Sequence, residues 1–254
     1  MEPLPASRAE RAGRNREAAG YDTRQLAEKG ASYWRLHNRL ILDALRGAAP
    51  GRLLDAGCGT GLVTEALTTL ERDLLAVDFS EASLAVLQQK ALPRVHLVQA
   101  DLTRLPLPPN SLCAIISSLV LQHIAPAARQ RVYLEFARCL IPGGKLVVVA
   151  YNEAKFRRRG LASASVFGSG IPYYAFSARQ LRDQAAGAGF GKVLVRPLGM
   201  TLYARGYPGG QLLYPVLART AHWLEWWSAR LLPPNRSYVS DYWLMSAEKN
   251  DAGG

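Results

Sequence analysis

The stretch Leu53-Leu54-Asp55-Ala56-Gly57-Cys58-Gly59-Thr60-Gly61 decides the fold of this chain. It begins with a mostly apolar run typical of a buried strand, and its three glycines follow directly. Glycine lets the backbone turn and approach a ligand closely, and a helix predicted to begin near Leu62 offers free N–H groups to a polar ligand. The stretch therefore predicts a strand, a binding turn and a helix.

The same alternation of apolar runs and amphipathic segments continues along the chain. Strands are predicted at 53–56, 74–77, 95–98, 112–117 and 146–150, and helices at 62–70, 83–90 and 127–140, with Ser80 as a helix N-cap. A further helix at 177–188 and strands at 192–198 and 238–247 follow, and the last two strands are expected to pair antiparallel. Repeated strand–helix units predict an α/β fold with a mostly parallel sheet covered by helices on both faces.

We expect one globular domain preceded by a short tail. Residues 1–20 are polar and basic and predict a flexible tail, and residues 21–254 form the domain. Within it, 21–50 is predicted to be an N-terminal helical cap, 51–150 the ligand-binding core, and 151–254 the part that completes the sheet. A helical insert at 199–237 precedes the last strand and carries a wide apolar face.

Composition limits the function classes. The chain has 254 residues, 49% of them hydrophobic, and a net charge of +11, so that acidic partners have to be considered. We predict neither a signal peptide nor a membrane span. The cysteines Cys58, Cys113 and Cys139 are far apart, which disfavours a disulfide framework and a metal site and predicts a cytoplasmic protein.

A carboxylate lies at or near the carboxyl end of each of the first three predicted strands. Asp55 lies in the first strand, Asp78 ends the second, and Asp101 follows the third. Open α/β sheets bind ligands at the carboxyl ends of their strands, so these three side chains are predicted to face one crevice.

Taken together, the glycine turn and the acidic strand ends resemble the class I S-adenosylmethionine-dependent methyltransferases over most of 50–150. Gly57, Gly59 and Gly61 follow the spacing G-x-G-x-G, whereas the dinucleotide fingerprint is G-x-G-x-x-G. The segments Leu119 to Ile124 and Arg138 to Gly144 are similar to those of small-molecule members, including the ubiquinone and menaquinone C-methylases. This resemblance implies a Rossmann-like, seven-stranded sheet.

The resemblance also implies roles in binding S-adenosylmethionine, with S-adenosylhomocysteine as the product. Asp55, Gly57, Cys58 and Gly59 would surround the methionine part, and Asp78 would accept hydrogen bonds from the ribose. The remaining implied contacts are Phe79 packing on the adenine, Asp101 and Leu102 reading the adenine edge, the Ser117 carbonyl facing the cofactor ammonium, and Tyr21 closing the site.

Methyl transfer needs positioning more than acid–base chemistry, because the sulfonium is already a good leaving group. His123 is the candidate base, since an imidazole titrates near neutrality, and a structural role for it is the alternative. The acceptor is expected to be a small, aromatic or apolar metabolite held by aromatic side chains. The candidate substrate residues are Tyr33, Trp34, Tyr151, Asn152, Tyr173, Tyr174 and Trp223. His37 and His96 are assigned no role.

Two other functions stay open at this point. A nucleic-acid methyltransferase is favoured by the charge but lacks the Asn/Asp-Pro-Pro-aromatic motif, because Ser117-Ser118-Leu119-Val120 stands after the fourth strand. A non-catalytic protein that contacts a membrane surface through 210–231 is the second alternative. Either a monomer or a homodimer fits the sequence.

Overall fold

Seven strands form one mixed sheet in the computed structural model of the chain, which describes residues 5–158, 162, 164–166, 171–198 and 241–251. The described residues contain nine strands in all, namely β1 Leu53–Ala56, β2 Leu74–Asp78, β3 Val95–Gln99, β4 Leu112–Ser118, β5 Leu140–Tyr151, β6 Ala164–Val166, β7 Pro172–Tyr174, β8 Phe190–Leu198 and β9 Tyr242–Lys249. The sheet order is β3-β2-β1-β4-β5-β9-β8, and β6 pairs with β7 separately. The strands β3, β2, β1, β4 and β5 run parallel, while β9 is antiparallel to both β5 and β8. The predicted seven-stranded, mostly parallel sheet is confirmed, including the antiparallel final pair.

Helices cover both faces of this sheet. They are α1 Pro5–Glu17, α2 Tyr21–Lys29, α3 Ala31–Ala44, α4 Thr64–Leu67, α5 Glu81–Gln89, α6 Pro126–Cys139, α7 Glu153–Arg158 and α8 Ala178–Ala186. Short 3-10 turns lie at Ala18–Gly20, Thr68–Leu70 and Leu121–His123. Ser80 caps α5 as predicted, since its hydroxyl accepts a hydrogen bond from the Ser83 amide at 3.1 Å.

Two hydrophobic clusters lie on opposite faces of the sheet, because successive side chains of a strand alternate between faces. Leu54 belongs to the cluster that α6 and α8 cover through Phe136 and Leu181. Leu53 belongs to the cluster that α3 covers through Ile41. The apolar runs of β1, β2 and β4 are therefore buried on both sides, as expected for parallel strands, whereas β3 at the edge of the sheet is partly exposed.

Strand register brings the acidic residues to one edge. Asp78 is the last residue of β2 and pairs with Gln99, the last residue of β3. Asp101 follows two positions later, and Asp55 lies in the central strand β1. The carboxyl edge of the sheet therefore carries all three carboxylates, which positions the site described below.

Residues 5–20, which lie within the predicted flexible tail at 1–20, are helical in the structure. Pro5–Glu17 is helix α1 and Ala18–Gly20 is a 3-10 turn. The Ser80 hydroxyl donates a hydrogen bond to the Asn15 side-chain oxygen at 2.6 Å, so polar tertiary contacts fix a segment that has few apolar residues.

Two further differences concern the second half of the chain. Strand β5 begins at Leu140, directly after α6, where the sequence predicted a turn before 146. The small β6–β7 sheet was not predicted, because three-residue strands carry almost no periodic signal. The predicted insert at 199–237 lies outside the described residues.

Candidate functional site

The glycine turn after β1 is closely packed on its inner side and open on the other. Gly57, Gly59 and Gly61 have φ of +81°, +52° and +94°, a backbone region that residues with a side chain rarely adopt. A Cβ on Gly57 would lie 2.4 Å from a methyl carbon of Val120, whereas a Cβ on Gly59 would meet no atom within 4 Å. The turn therefore forms a floor on which a ligand can approach the backbone at Gly59.

Asp78 fixes the shape of this turn. One of its carboxylate oxygens accepts a hydrogen bond from the Gly59 amide at 2.8 Å, and the other accepts one from the Ser80 amide at 2.9 Å. Burial raises the pKa of Asp78, while the backbone hydrogen bonds and the Arg14 charge oppose that rise. The carboxylate thus couples the end of β2 to the glycine turn.

Asp55 is the most buried of the three carboxylates, with 1% of its surface exposed. The Thr64 hydroxyl donates a hydrogen bond to it at 2.7 Å. Burial raises its pKa to about 7; the Thr64 hydrogen bond lowers the pKa and the Asp78 charge raises it. Asp101 is exposed instead, and its carboxylate accepts hydrogen bonds from the Thr103 amide and hydroxyl, both at 2.8 Å.

These groups surround one cavity of about 460 Å³. Nine of the ten predicted cofactor residues line it, namely Tyr21, Asp55, Gly57, Cys58, Gly59, Asp78, Phe79, Asp101 and Leu102. Ser117 is the exception: it is fully buried, and its neighbour Ser118 lines the cavity. Strand β4 continues to Ser118, one residue beyond its predicted end, which moves the cavity-facing position along the chain.

Helix α1 covers the cavity and was missed by the sequence analysis. Glu10, Arg11, Arg14 and Glu17 line it, and the Arg11 guanidinium lies 5.8 Å from the centre of the Phe79 ring. Burial raises the pKa of Glu10 to about 7; the Arg14 charge lowers the pKa, and Asp78 and Asp101 raise it. The spacing of these four residues follows one helix face, the only sequence signal that could have identified them.

His123 lies at the β4 exit and lines the same cavity. Its Nδ1 lies 2.7 Å from the Pro172 carbonyl oxygen, so that Nδ1 carries the proton and donates it there. Its Nε2 is then the acceptor nitrogen, 3.5 Å from the Gln122 side-chain nitrogen. Burial, together with the Arg14 and Arg129 charges, lowers the pKa of His123 to about 3, against the raising effect of the Pro172 hydrogen bond.

The predicted substrate residues do not form one group. Trp34 lines the cavity, whereas Tyr33, Tyr151, Asn152, Tyr173 and Tyr174 are absent from its lining. Tyr33 packs edge-on against Trp34 in the core beside α3. Tyr151 and Tyr173 pack with Phe156 in a small cluster of their own, behind His123.

Asn152 and Tyr174 have visible structural roles instead. The Asn152 side-chain oxygen accepts a hydrogen bond from the Ala154 amide at 2.9 Å. The Tyr174 carbonyl accepts one from the Arg129 guanidinium at 2.7 Å. Trp223 lies outside the described residues. Five of the seven predicted substrate residues thus lie outside the lining of this cavity, and their assignment to an acceptor pocket stays a prediction.

His37, which was assigned no role from the sequence, contacts a residue that lines the cavity. It is 1% exposed, and its Nε2 lies 3.2 Å from the hydroxyl of the cavity residue Ser118. Burial lowers its pKa to about 4; the Asn38 hydrogen bond raises the pKa and the Lys29 charge lowers it. The neutral ring joins α3 to the β4 exit.

Comparison with known proteins identifies the central part of this architecture. Residues 54–148 match the methyltransferase domain family. The resemblance seen in the sequence is confirmed, and the matched segment holds the glycine turn, Asp78, Asp101 and His123.

Curated relatives match about half of the chain. A probable S-adenosylmethionine-dependent methyltransferase of Mycobacterium tuberculosis is 32% identical over 126 residues, which are 49% of this chain and 45% of that protein. A demethylmenaquinone methyltransferase of Renibacterium salmoninarum is 36% identical over 124 residues, 48% of this chain and 49% of that protein. The chain thus spans about half the length of these relatives.

Solved structures share the fold over a longer stretch. The 1,6-didemethyltoxoflavin-N1-methyltransferase of Burkholderia thailandensis, with S-adenosylhomocysteine bound, has a TM-score of 0.63 at 18% identity. The match covers 99% of this chain and 93% of that one. The [4+2]-cyclase SpnF also matches, with a TM-score of 0.56 at 22% identity over 84% of this chain and 80% of that one. At these identities the likeness shows the Rossmann-like fold alone.

Within the described part of the chain, no helix is both long and apolar enough to cross a membrane.

Proposed function

We propose that the chain transfers a methyl group from S-adenosylmethionine to a small-molecule acceptor. The observation that carries the proposal is the single cavity bounded by the open glycine turn, by Asp78 and Phe79, and by Asp101 and Leu102. Residues 54–148 match the methyltransferase domain family, and a relative named as a probable S-adenosylmethionine-dependent methyltransferase aligns with 126 residues of the chain.

The residues present fit this donor. Open space above Gly59 admits a ligand against the backbone, and the buried carboxylates favour a cationic one. Asp78 has further lone pairs for ribose hydroxyls, Phe79 offers a ring face for adenine, and Asp101 and the Leu102 amide suit the adenine edge. Asp55 and Gly57 would border the methionine part. When bound, the donor supplies a methyl group on a sulfonium sulfur.

The chain's own contribution is positioning and exclusion of water. Helix α1 closes over the cavity through Glu10, Arg11 and Arg14, and Trp34 and Ile124 supply apolar lining. Holding two reactants in line in such a site contributes up to about 7–11 kcal/mol in favourable intramolecular systems.

His123 acts in this proposal as a hydrogen-bond acceptor for the substrate. Its Nδ1 proton is held by the Pro172 carbonyl, so Nε2 is the nitrogen that presents a lone pair. A pKa of about 3 makes the imidazole a weak base. Orientation of the acceptor is therefore its main task, and proton removal is secondary.

A small acceptor is favoured over nucleic acid by the apolar residues that line the cavity. They include Trp34, Leu62 and Ile124, which suit an apolar or aromatic molecule. A gel shift with RNA that is abolished by salt would instead favour the nucleic-acid alternative.

The test is calorimetric titration of the pure protein with S-adenosylhomocysteine and, separately, with NAD. Asp78→Asn should weaken binding of S-adenosylhomocysteine about 10- to 100-fold, the loss expected for charge-assisted hydrogen bonds. Asp73→Asn is the matched control, since Asp73 precedes the opposite end of β2 and is exposed. No heat with S-adenosylhomocysteine, together with binding of NAD, would refute the proposal.

A further inference from the structure

Arg14 of α1 lines the cavity and has no part in the proposed contacts to the donor. It is half-buried and lines the cavity, on the same helix face as Glu10 and Glu17, while Arg16 is exposed. An arginine is ionised at any pH at which the protein is folded. A permanent positive charge is therefore held against the cavity.

This cation has no direct protein partner among the described residues, since it makes neither a hydrogen bond nor an ion pair with any of them. The neighbouring carboxylates make their direct contacts elsewhere: Asp78 accepts two backbone hydrogen bonds, and Glu17 pairs with Arg24 at 3.4 Å. The Arg14 charge lowers the pKa of Glu10 and of Asp78, while burial raises the pKa of Glu10 to about 7. A half-buried guanidinium that none of these carboxylates contacts directly can donate hydrogen bonds to an anion in the cavity.

The position of Arg14 indicates which ligand brings that anion. After burial, its charge is the second cause that lowers the pKa of His123, and it also lowers the pKa of Tyr151 and of Asp78. Arg14, Asp78 and His123 line the same cavity, and the guanidinium charge acts on both of the other two side chains. A sulfonium donor is itself a cation, and two like charges in one cavity repel each other.

We propose that the acceptor binds as an anion, a phenolate, enolate or carboxylate, with Arg14 as its counter-charge. This inference rests on the proposed methyl transfer and narrows its substrate class. It also accounts for a site whose imidazole is a weak base, because an acceptor that is already ionised has no proton to lose. An aromatic acid or acidic phenol combines such a charge with the apolar lining.

The experiment uses 4-nitrophenol, whose ionised form has its own absorbance band, with protein saturated by S-adenosylhomocysteine. Wild type should bind the phenolate at least about tenfold more tightly than the phenol, as an adjacent opposite charge dictates. Arg14→Gln should lose this preference. Arg16→Gln, on the exposed side of the same helix, should keep it. Urea unfolding of both variants checks that the fold is retained.

Several results would overturn the inference. One is wild type that binds phenol and phenolate equally or binds neither; another is a preference that survives in Arg14→Gln. A third is Arg14→Gln that loses affinity for S-adenosylhomocysteine while 5′-methylthioadenosine, which lacks the amino-acid carboxylate, binds as before. That pattern would assign Arg14 to the donor's carboxylate. Wild type that fails to bind S-adenosylhomocysteine at all refutes the proposed function, and the inference with it.

Discussion

Replacing Gly57 by alanine tests whether the glycine turn is built against the β4 exit. Gly57 has φ of +81°, and its added Cβ would lie 2.4 Å and 2.6 Å from the two methyl carbons of Val120. Real Cβ atoms are almost never this close to another heavy atom, so either the turn or the Val120 side chain has to move. The two costs, backbone strain and overpacking, are separable.

The magnitudes follow from these two causes. A left-handed conformation costs a non-glycine residue about 1–2 kcal/mol. Overpacking of a well-packed site adds about 1–3 kcal/mol. Gly57→Ala should therefore lower the free energy of unfolding by about 2–5 kcal/mol. Gly59→Ala is the matched control, because its φ is +52° and its Cβ meets no atom within 4 Å, so that only about 1–2 kcal/mol of strain applies.

Urea unfolding of the two variants measures these differences directly. A second cycle combines Gly57→Ala with Val120→Ala, which removes the clashing methyl groups; the pair should show a favourable coupling energy of about 1 kcal/mol or more. Equal stability of Gly57→Ala and Gly59→Ala, or a coupling energy of zero, would refute the packing argument. Gly59→Ala should at the same time weaken binding of S-adenosylhomocysteine, since its methyl group enters the cavity.

Two further predictions concern buried polar side chains. Arg129→Met should destabilise the fold by about 2–5 kcal/mol, because it removes a buried guanidinium and leaves two half-buried carbonyls without their partner; the guanidinium donates to Ile124 at 3.0 Å and to Tyr174 at 2.7 Å. Exposed Arg131→Met on the same helix is the control, and equal unfolding curves would contradict the prediction. The pKa of His37, lowered to about 4 from 6.5, means that the unfolded chain binds a proton in this range that the folded chain does not. Stability should thus fall as pH drops from 6.5 to 4, and less steeply in His37→Gln; parallel stability curves would show that His37 does not cause the loss.

The central sheet and the donor end of the cavity could be predicted because their signals are local. Each buried parallel strand is a short apolar run, and the residue that follows it must lie at the carboxyl edge of the sheet. Asp78 and Asp101 were therefore placed from the chain alone. Chain topology converts sequence position into spatial position here, with no knowledge of side-chain packing.

Helix α1 could not be predicted in the same way. Its residues Pro5–Glu17 contain almost no large apolar side chains, so their composition is that of a mobile tail. The contacts that hold it are polar and come from distant parts of the chain, such as Ser80 to Asn15 and Arg11 over Phe79. Such contacts leave no periodic pattern, and Glu10 and Arg14 were missed for that reason.

Which aromatic side chains line the cavity could not be predicted, for a different reason. Tyr33 and Trp34 are neighbours on α3, yet only Trp34 reaches the cavity. One residue of a helix turns the side chain by about a hundred degrees, since a turn takes about 3.6 residues. Residue type says that an aromatic ring prefers burial, but it does not distinguish a core from a pocket wall.

A difference of one residue also decides which side chain faces the cavity at the end of β4. Side chains alternate along a strand, so Ser117 is fully buried while Ser118 lines the cavity and contacts His37. His37 also contacts Asn38, whose side chain donates a hydrogen bond to the Leu62 carbonyl directly after the glycine turn. The two segments that border the cavity, the glycine turn and the β4 exit, are therefore connected to each other through α3. Because burial lowers the pKa of His37 to about 4, its ring is neutral at pH 7, and Nε2 can accept a hydrogen bond from the Ser118 hydroxyl.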